Sequence, residues 1–203
     1  MALSKIDVAN MLTGATPVAN GGTGISSGTS GQFLKFTGST TLASAADNAG
    51  ITEFDQWRVT TDQTGLNYLT SNLERVDTYG NGQLGTGMSE SSGVFTFPST
   101  GIYRISFHVY FYLNGDDRLM ETKIKTTTNN SDYNFLSDGV SFIQQTGGAL
   151  TYANSHNEGI FDVTDTSTHK CAFRVNVSNS STQISGDSNI SGTYVTFIRL
   201  GDT

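Results

Sequence analysis

The sequence predicts an all-β protein: an antiparallel sandwich of about eight to ten strands behind an extended N-terminal segment. Three observations predict it. Tyr103, Ile105, Phe107, Val109, Phe111 and Leu113 alternate with Arg104, Ser106, His108, Tyr110 and Tyr112, the period of two that a strand imposes. Turn signals at Gly80-Asn81-Gly82, Pro98 to Gly101, Asn114-Gly115 and Asn129-Asn130 separate further apolar runs, and no helical stripe interrupts them. Residues 1–50 hold only two aromatics, Phe33 and Phe36, whereas all eight Tyr and the single Trp lie beyond Ile51, so the core belongs to the C-terminal part.

In chain order, Leu3, Ile6, Val8, Met11 and Leu12 make a ragged helical stripe that Ser4 could cap, with Asp7 three residues on, and that Gly14 would stop. It reads either as a frayed tail or as a docking peptide, residues 1–15, that orders only against a partner. Residues 16–50 follow; the glycines at 14, 21, 22, 24, 28, 31 and 38 keep no period of three, which excludes collagen. A flexible linker would have no use for Phe33, Leu34 and Phe36; a short β-stretch that buries them between chains, as the thin core of a stalk, is more economical. Beyond Ile51, besides the long strand, strands are expected at 55–61, 73–79, 94–97, 121–126, 139–145, 159–163, 170–177 and 192–200.

The second face of the long strand is too aromatic for solvent. In "TYVTFIRL", residues 193–200, both alternating sets are largely apolar as well. A sheet of a sandwich has one face on its own core, so the other is expected to pack on another subunit, where tyrosine combines an apolar ring with a hydroxyl that stays hydrogen-bonded. His108, Tyr110, Tyr112, Tyr194 and Phe197 are the expected interface residues.

Several function classes are disfavoured. A formal net charge of −7 argues against a nucleic-acid binder. The N-terminus lacks the charged start, apolar run and cleavage site of a secretion signal, and no run approaches the roughly 20 apolar residues of a membrane span. The chain is therefore expected to be made in a cytoplasm, without membrane insertion. The lone Cys171 cannot form an intrachain disulfide and alternates with Phe173, Val175 and Val177, as a buried thiol would. His108, His156 and His169 show no metal-ligand spacing. "GISSG" at 24–28 satisfies Gly-x-Ser-x-Gly without the strand-to-helix turn that motif needs. Asp116-Asp117 and the Asp162 and Asp165 pair could in principle serve glycan hydrolysis, but with 18 acidic residues in the chain such pairs arise by chance. No enzymatic activity, metal or cofactor is expected.

Two resemblances add to this reading. "PVANGGTG" at 17–24 followed by "SGQFLKFTGSTTL" at 30–42 resembles a repeat of tail-fibre and related virion proteins of tailed bacteriophages. That resemblance covers about residues 1–50 and implies a trimeric fibre whose N-terminus docks to a capsid or tail protein. "GVFTFPSTGIYRISFHVYF" at 93–111, with "LERVDTYGN" at 73–81 and "SGTYVTFIRLGD" at 191–202, is similar to the globular head of the C1q and tumour-necrosis-factor superfamily. Gly93, Phe95, Thr96, Pro98, Gly101 and Tyr103 match its motif, while Ile105 stands where an aromatic is usual. This second resemblance implies a ten-stranded jelly roll that forms a compact homotrimer; no calcium ligands are assigned from it.

Together they imply a virion protein with a docking peptide at 1–15, a stalk at 16–50 and a jelly-roll knob at 51–203, the knob adhering to a host-surface glycan or protein. A capsid decoration or head fibre with a purely structural role is the alternative, and a glycan depolymerase a weaker one. The polar segments 114–118, 129–133, 153–158 and 179–189 are the expected contact loops, with Tyr133, Tyr152 and His156 as expected receptor contacts.

Overall fold

The computed structural model describes residues 28–37, 41–45, 50–64 and 67–203. The stripe of Leu3, Ile6, Val8, Met11 and Leu12 lies outside the described residues, as does the first part of the Gly/Ser/Thr tract. The chain divides into two units, Met1–Ala49 and Gly50–Thr203.

In the first unit, β1 (Phe33–Phe36) pairs antiparallel with β2 (Leu42–Ala45), in a register that sets Phe33 opposite Ala45 and Phe36 opposite Leu42. The β-stretch expected at Phe33 is thus half of a hairpin within one chain. Phe33, Leu34 and Phe36 remain exposed on it.

The second unit contains β3 (Phe54–Val59), β4 (Thr61–Gln63), β5 (Leu73–Arg75), β6 (Ser89–Ser91), β7 (Val94–Thr96), β8 (Gly101–Leu113), β9 (Asp117–Thr127), β10 (Asn134–Ile143), β11 (Thr151–Val163), β12 (Lys170–Val177), β13 (Gln183–Asp187) and β14 (Tyr194–Gly201). No described residue is helical. A five-stranded sheet runs β10-β9-β12-β7-β6. A seven-stranded sheet runs β4-β13-β8-β14-β3-β5, with β11 on the other side of β8. Every pairing is antiparallel, and the two sheets close a jelly roll over one core.

That core is the inward set of the alternations. Tyr103, Ile105, Phe107, Val109 and Phe111 of β8 are buried, as are Cys171, Phe173 and Val175 of β12. Phe95 sits at its centre, 5.5 Å from the rings of Trp57 and Phe173 and 5.1 Å from Phe197. Burying each such side chain contributes about 1.5–3 kcal/mol. Two glycines of the "GVFTFPSTG" stretch have packing reasons to be glycine. Gly93 has φ +81°, and a Cβ there would lie 2.0 Å from the Leu69 carbonyl oxygen; at Gly101, with φ +144°, it would meet Arg199 Nε at 2.4 Å.

One strand differs from expectation over most of its length. Residues 151–158, expected to be largely a loop, belong to β11, which pairs with β8 without interruption from Thr151↔Leu113 to Val163↔Gly101. Its inward residues there include Ser155 and Asn157, both buried, and the Thr122 hydroxyl of β9 lies 2.7 Å from Ser155 Oγ and 3.1 Å from Asn157 Oδ1. A polar seam between the sheets replaces the hydrophobic alternation that would have marked a strand. Residues 183–187, inside another expected loop, form β13, where Ile184 is the inward anchor.

Candidate functional site

Outward-facing residues of the seven-stranded sheet follow from register, because directly opposed residues of an antiparallel pair share a face. His108 of β8 is opposed by Tyr194 of β14 and by His156 of β11; Tyr110 is opposed by Asn154, and Tyr112 by Tyr152 and Gln183. Six aromatic or imidazole rings therefore lie on one face: His108, Tyr110, Tyr112, Tyr152, His156 and Tyr194.

The rings interlock. His108 stacks on Tyr194 at 5.0 Å, Tyr110 lies 5.6 Å from Tyr152, Tyr112 6.1 Å from Tyr152, and His108 6.2 Å from His156. Several polar atoms of the face are held within the chain. His108 Nδ1 sits 2.9 Å from the Gly192 carbonyl oxygen. The Tyr112 hydroxyl lies 2.6 Å from Asp62 Oδ2 and 2.7 Å from Gln183 Oε1. Burial, and then the hydrogen bond and charge of Asp62, push that phenol up to about 12, so it stays neutral. At one edge Arg104 donates to Glu158, whose carboxylate also lies 4.0 Å from His156 Nε2. The result is a broad aromatic patch with a polar rim, half-buried at His108, Tyr110, Tyr112 and Tyr194 and exposed at Tyr152 and His156.

Phe197 does not belong to this face. It is 1% exposed and packs on Phe95, Phe97 and Phe173, so its expected role at a subunit interface is corrected. Both alternating sets of residues 193–200 are apolar, and only the pairing of Tyr194 with His108 decides that the odd-numbered set points inward.

The three expected receptor contacts are not brought together. Tyr152 and His156 lie on β11, not in a loop, and join the aromatic face. Tyr133 sits in the β9–β10 connection, half-buried, in a depression lined by Val94 of β7 and Ala172 of β12 on the five-stranded sheet. Burial pushes its hydroxyl up. Tyr68, lining the same depression, was missed by sequence reasoning: it forms an isolated bridge to Arg174 between strands, with no periodic neighbours to mark it.

Three of the four paired acids, Asp116, Asp117 and Asp165, have structural partners. Asp117, 1% exposed, accepts hydrogen bonds from the amides of Leu119, Ser178 and Asn179 and the hydroxyls of Ser178 and Thr182. Burial alone would push this carboxyl up; the hydrogen bonds from Ser178, Thr182, Leu119 and Asn179 outweigh it and hold the group below its ordinary value. Asp116 accepts from the Gln145 amide at 2.7 Å, and Asp165 from Ser167. Cys171 is fully buried, and burial pushes its thiol well up. His169 is bracketed by the hydroxyls of Thr164 and Thr168 at 3.2 and 3.1 Å. Among the described residues no group of three or more His, Cys, Asp or Glu side chains could hold a metal ion.

No family model matches the chain, and no curated protein matches its sequence. Solved structures do match its fold. Murine APRIL at pH 5.0 aligns with a TM-score of 0.55 and 13% identity over 73% of this chain and 98% of that one. Murine APRIL at pH 8.5 gives 0.53 and 14% over the same shares. Eiger TNF from S. frugiperda gives 0.54 and 9%, covering 74% of this chain and 93% of that one. The second unit is thus a TNF-like jelly roll, in agreement with the C1q/TNF-like knob expected from residues 73–81, 93–111 and 191–202.

Proposed function

We propose that this chain is a homotrimeric virion fibre protein of a tailed phage, non-enzymatic, whose jelly-roll knob adheres to the host cell surface. The observation that carries the self-association is the aromatic face. Six interlocked rings on the outside of a sheet are more apolar surface than a solitary domain has reason to present to water, and three copies packed about an axis would cover them. The phage assignment is supported by the resemblance of residues 17–24 and 30–42 to fibre repeats. In this reading residues 1–15 dock to a capsid or tail protein, residues 16–50 form the stalk with Phe33, Leu34 and Phe36 covered by sister chains, and the protein resides on the virion. A trimer presents three copies of every surface site, and such multivalency raises avidity by about 10² to 10⁴ without a tight single contact.

Light scattering on the full chain gives the number of chains per particle, expected to be three; a monomer at micromolar concentration overturns the assembly. Antibody raised against the knob locates it on the virion, and free protein added to a host culture is expected to compete with phage adsorption. Label on the capsid with no competition would assign a capsid decoration instead. Release of reducing ends from host polysaccharide by the purified protein would overturn the non-enzymatic reading.

A further inference from the structure

The five-stranded sheet carries a second, chemically different site on its outer face. A depression of about 330 Å³ lies there, lined by Val94, Ala172, Tyr68 and Tyr133, a size within the range of small-ligand sites. Gly93 is part of the lining and cannot carry a side chain, because a Cβ would collide with the Leu69 carbonyl. The hydroxyl-bearing residues Thr70 and Ser92 also line it.

Beside it stands a group of cations that is unusual in a chain of net charge −7. Register sets Lys125 opposite Ala172, and Lys123 opposite Arg174, on this outer face. Lys125 Nζ donates to the Tyr68 hydroxyl at 2.8 Å and lies 4.9 Å from the centre of the Phe135 ring, which is itself exposed. Lys123 is occupied by Glu121 at 3.2 Å. Among the described residues, by contrast, neither Lys125 nor Arg174 forms a salt bridge, although the Arg174 charge helps to hold the Glu121 carboxyl down. Arg174, the bridge partner of Tyr68, lies on the same outer face.

We infer that this depression binds a carboxylated pyranose, the hexuronate unit of an acidic polysaccharide. The sugar ring packs on the aromatic lining of Tyr68 and Tyr133, and its carboxylate is taken by Lys125. Such a lining suits the C–H face of a pyranose, and the Thr70 and Ser92 hydroxyls suit its hydroxyl groups. A peptide fits less well, since the site lies on a sheet face whose backbone groups are already paired and offers no free edge for strand addition. The inference deepens the adhesion reading by naming a ligand class, and it can be measured without the virion.

The full chain is titrated by calorimetry with trigalacturonate and with neutral galactotriose, while tyrosine ring resonances are followed by NMR. Trigalacturonate is expected to bind at least about tenfold more tightly than the neutral sugar, the scale of one charge-assisted contact, with an advantage that shrinks as salt rises. Lys125→Met removes the preference for the charged sugar; Tyr133→Ala weakens both sugars. Melting temperatures verify that each variant is folded, and Tyr68→Phe, which keeps the ring and loses only the hydroxyl held by Lys125, gives an intermediate loss. No binding of either sugar, equal binding of both, an unaltered preference in Lys125→Met, or equal affinity for a hexaglutamate peptide would each overturn the site. Binding as expected alongside unimpeded phage adsorption would leave the site standing and refute adhesion.

Discussion

His108 and Tyr194 stack across the β8–β14 pair with ring centroids 5.0 Å apart and planes 23° from parallel. The stack lies on the outside of the sheet, so its exposed side is available to a sister chain. Tyr194→Asp places a charge in the middle of that face without touching the inward core. It is expected to convert the particle to single chains in light scattering, with an unaltered far-ultraviolet circular dichroism spectrum. A variant that stays trimeric would remove this face from the interface.

Asp117 predicts an acid limit on stability. Its carboxyl is held below its ordinary value in the folded state, so its contribution is fully present above the unfolded value of about 3.9 and is lost as pH falls through the lower folded value. Asp117→Asn weakens the charge-assisted bonds with which β9 and the β12–β13 connection are tied together. A loss of roughly 2–3 kcal/mol is expected at neutral pH. Urea titrations at neutral pH and near pH 3 test both parts: the gap between wild type and variant narrows in acid.

Gly93 and Gly82 make a matched pair. Gly93→Ala must hold a side chain at φ +81° and push it into the Leu69 carbonyl, which is expected to cost about 2 kcal/mol or more. Gly82 has neither a positive φ nor any neighbour within 4 Å of an added Cβ, so Gly82→Ala is expected to leave stability within about 0.5 kcal/mol of wild type. Thermal melts of the two variants compare the backbone requirement with its control.

Cys171 is expected to be inert to thiol reagents in the folded protein. Full burial hides the sulfur and pushes the thiol well up, away from the reactive thiolate. Labelling by Ellman's reagent should then follow unfolding and run slower by about three orders of magnitude or more than in denaturant. Rapid labelling of the native chain would refute the packing of β12 against Phe95.

Much of this fold was legible in the chain. The alternation from Tyr103 to Leu113 identified the inward face of β8 residue by residue, and residues 170–177 form β12 at the bounds their pattern suggested. The first part of β11 was not legible, because Ser155 and Asn157 are inward yet polar; Ser155 Oγ and Asn157 Oδ1 are met there by the hydroxyl of Thr122, a residue more than thirty positions earlier. The hexuronate depression was equally hidden. Tyr133 stood out as an aromatic in a polar turn, but Tyr68, which lines the same depression, belongs to a segment with no period at all.

What the sequence by itself determined is local. A period of two states which side chains share a face, turn residues state where strands stop, and burial of Cys171 follows from its apolar alternates. What only the tertiary structure decided is which of two apolar faces points inward and what each outward face meets. Phe197 went to the core and Tyr194 to the surface because β14 lies between β3 and β8 in one register, and a shift of one residue would exchange them. Tyr152 and His156 joined Tyr110 and Tyr112 because β11 closes on β8 from about fifty residues away. Such pairings rest on long-range hydrogen-bond ladders and core packing summed over both sheets, and no short stretch of sequence contains that sum.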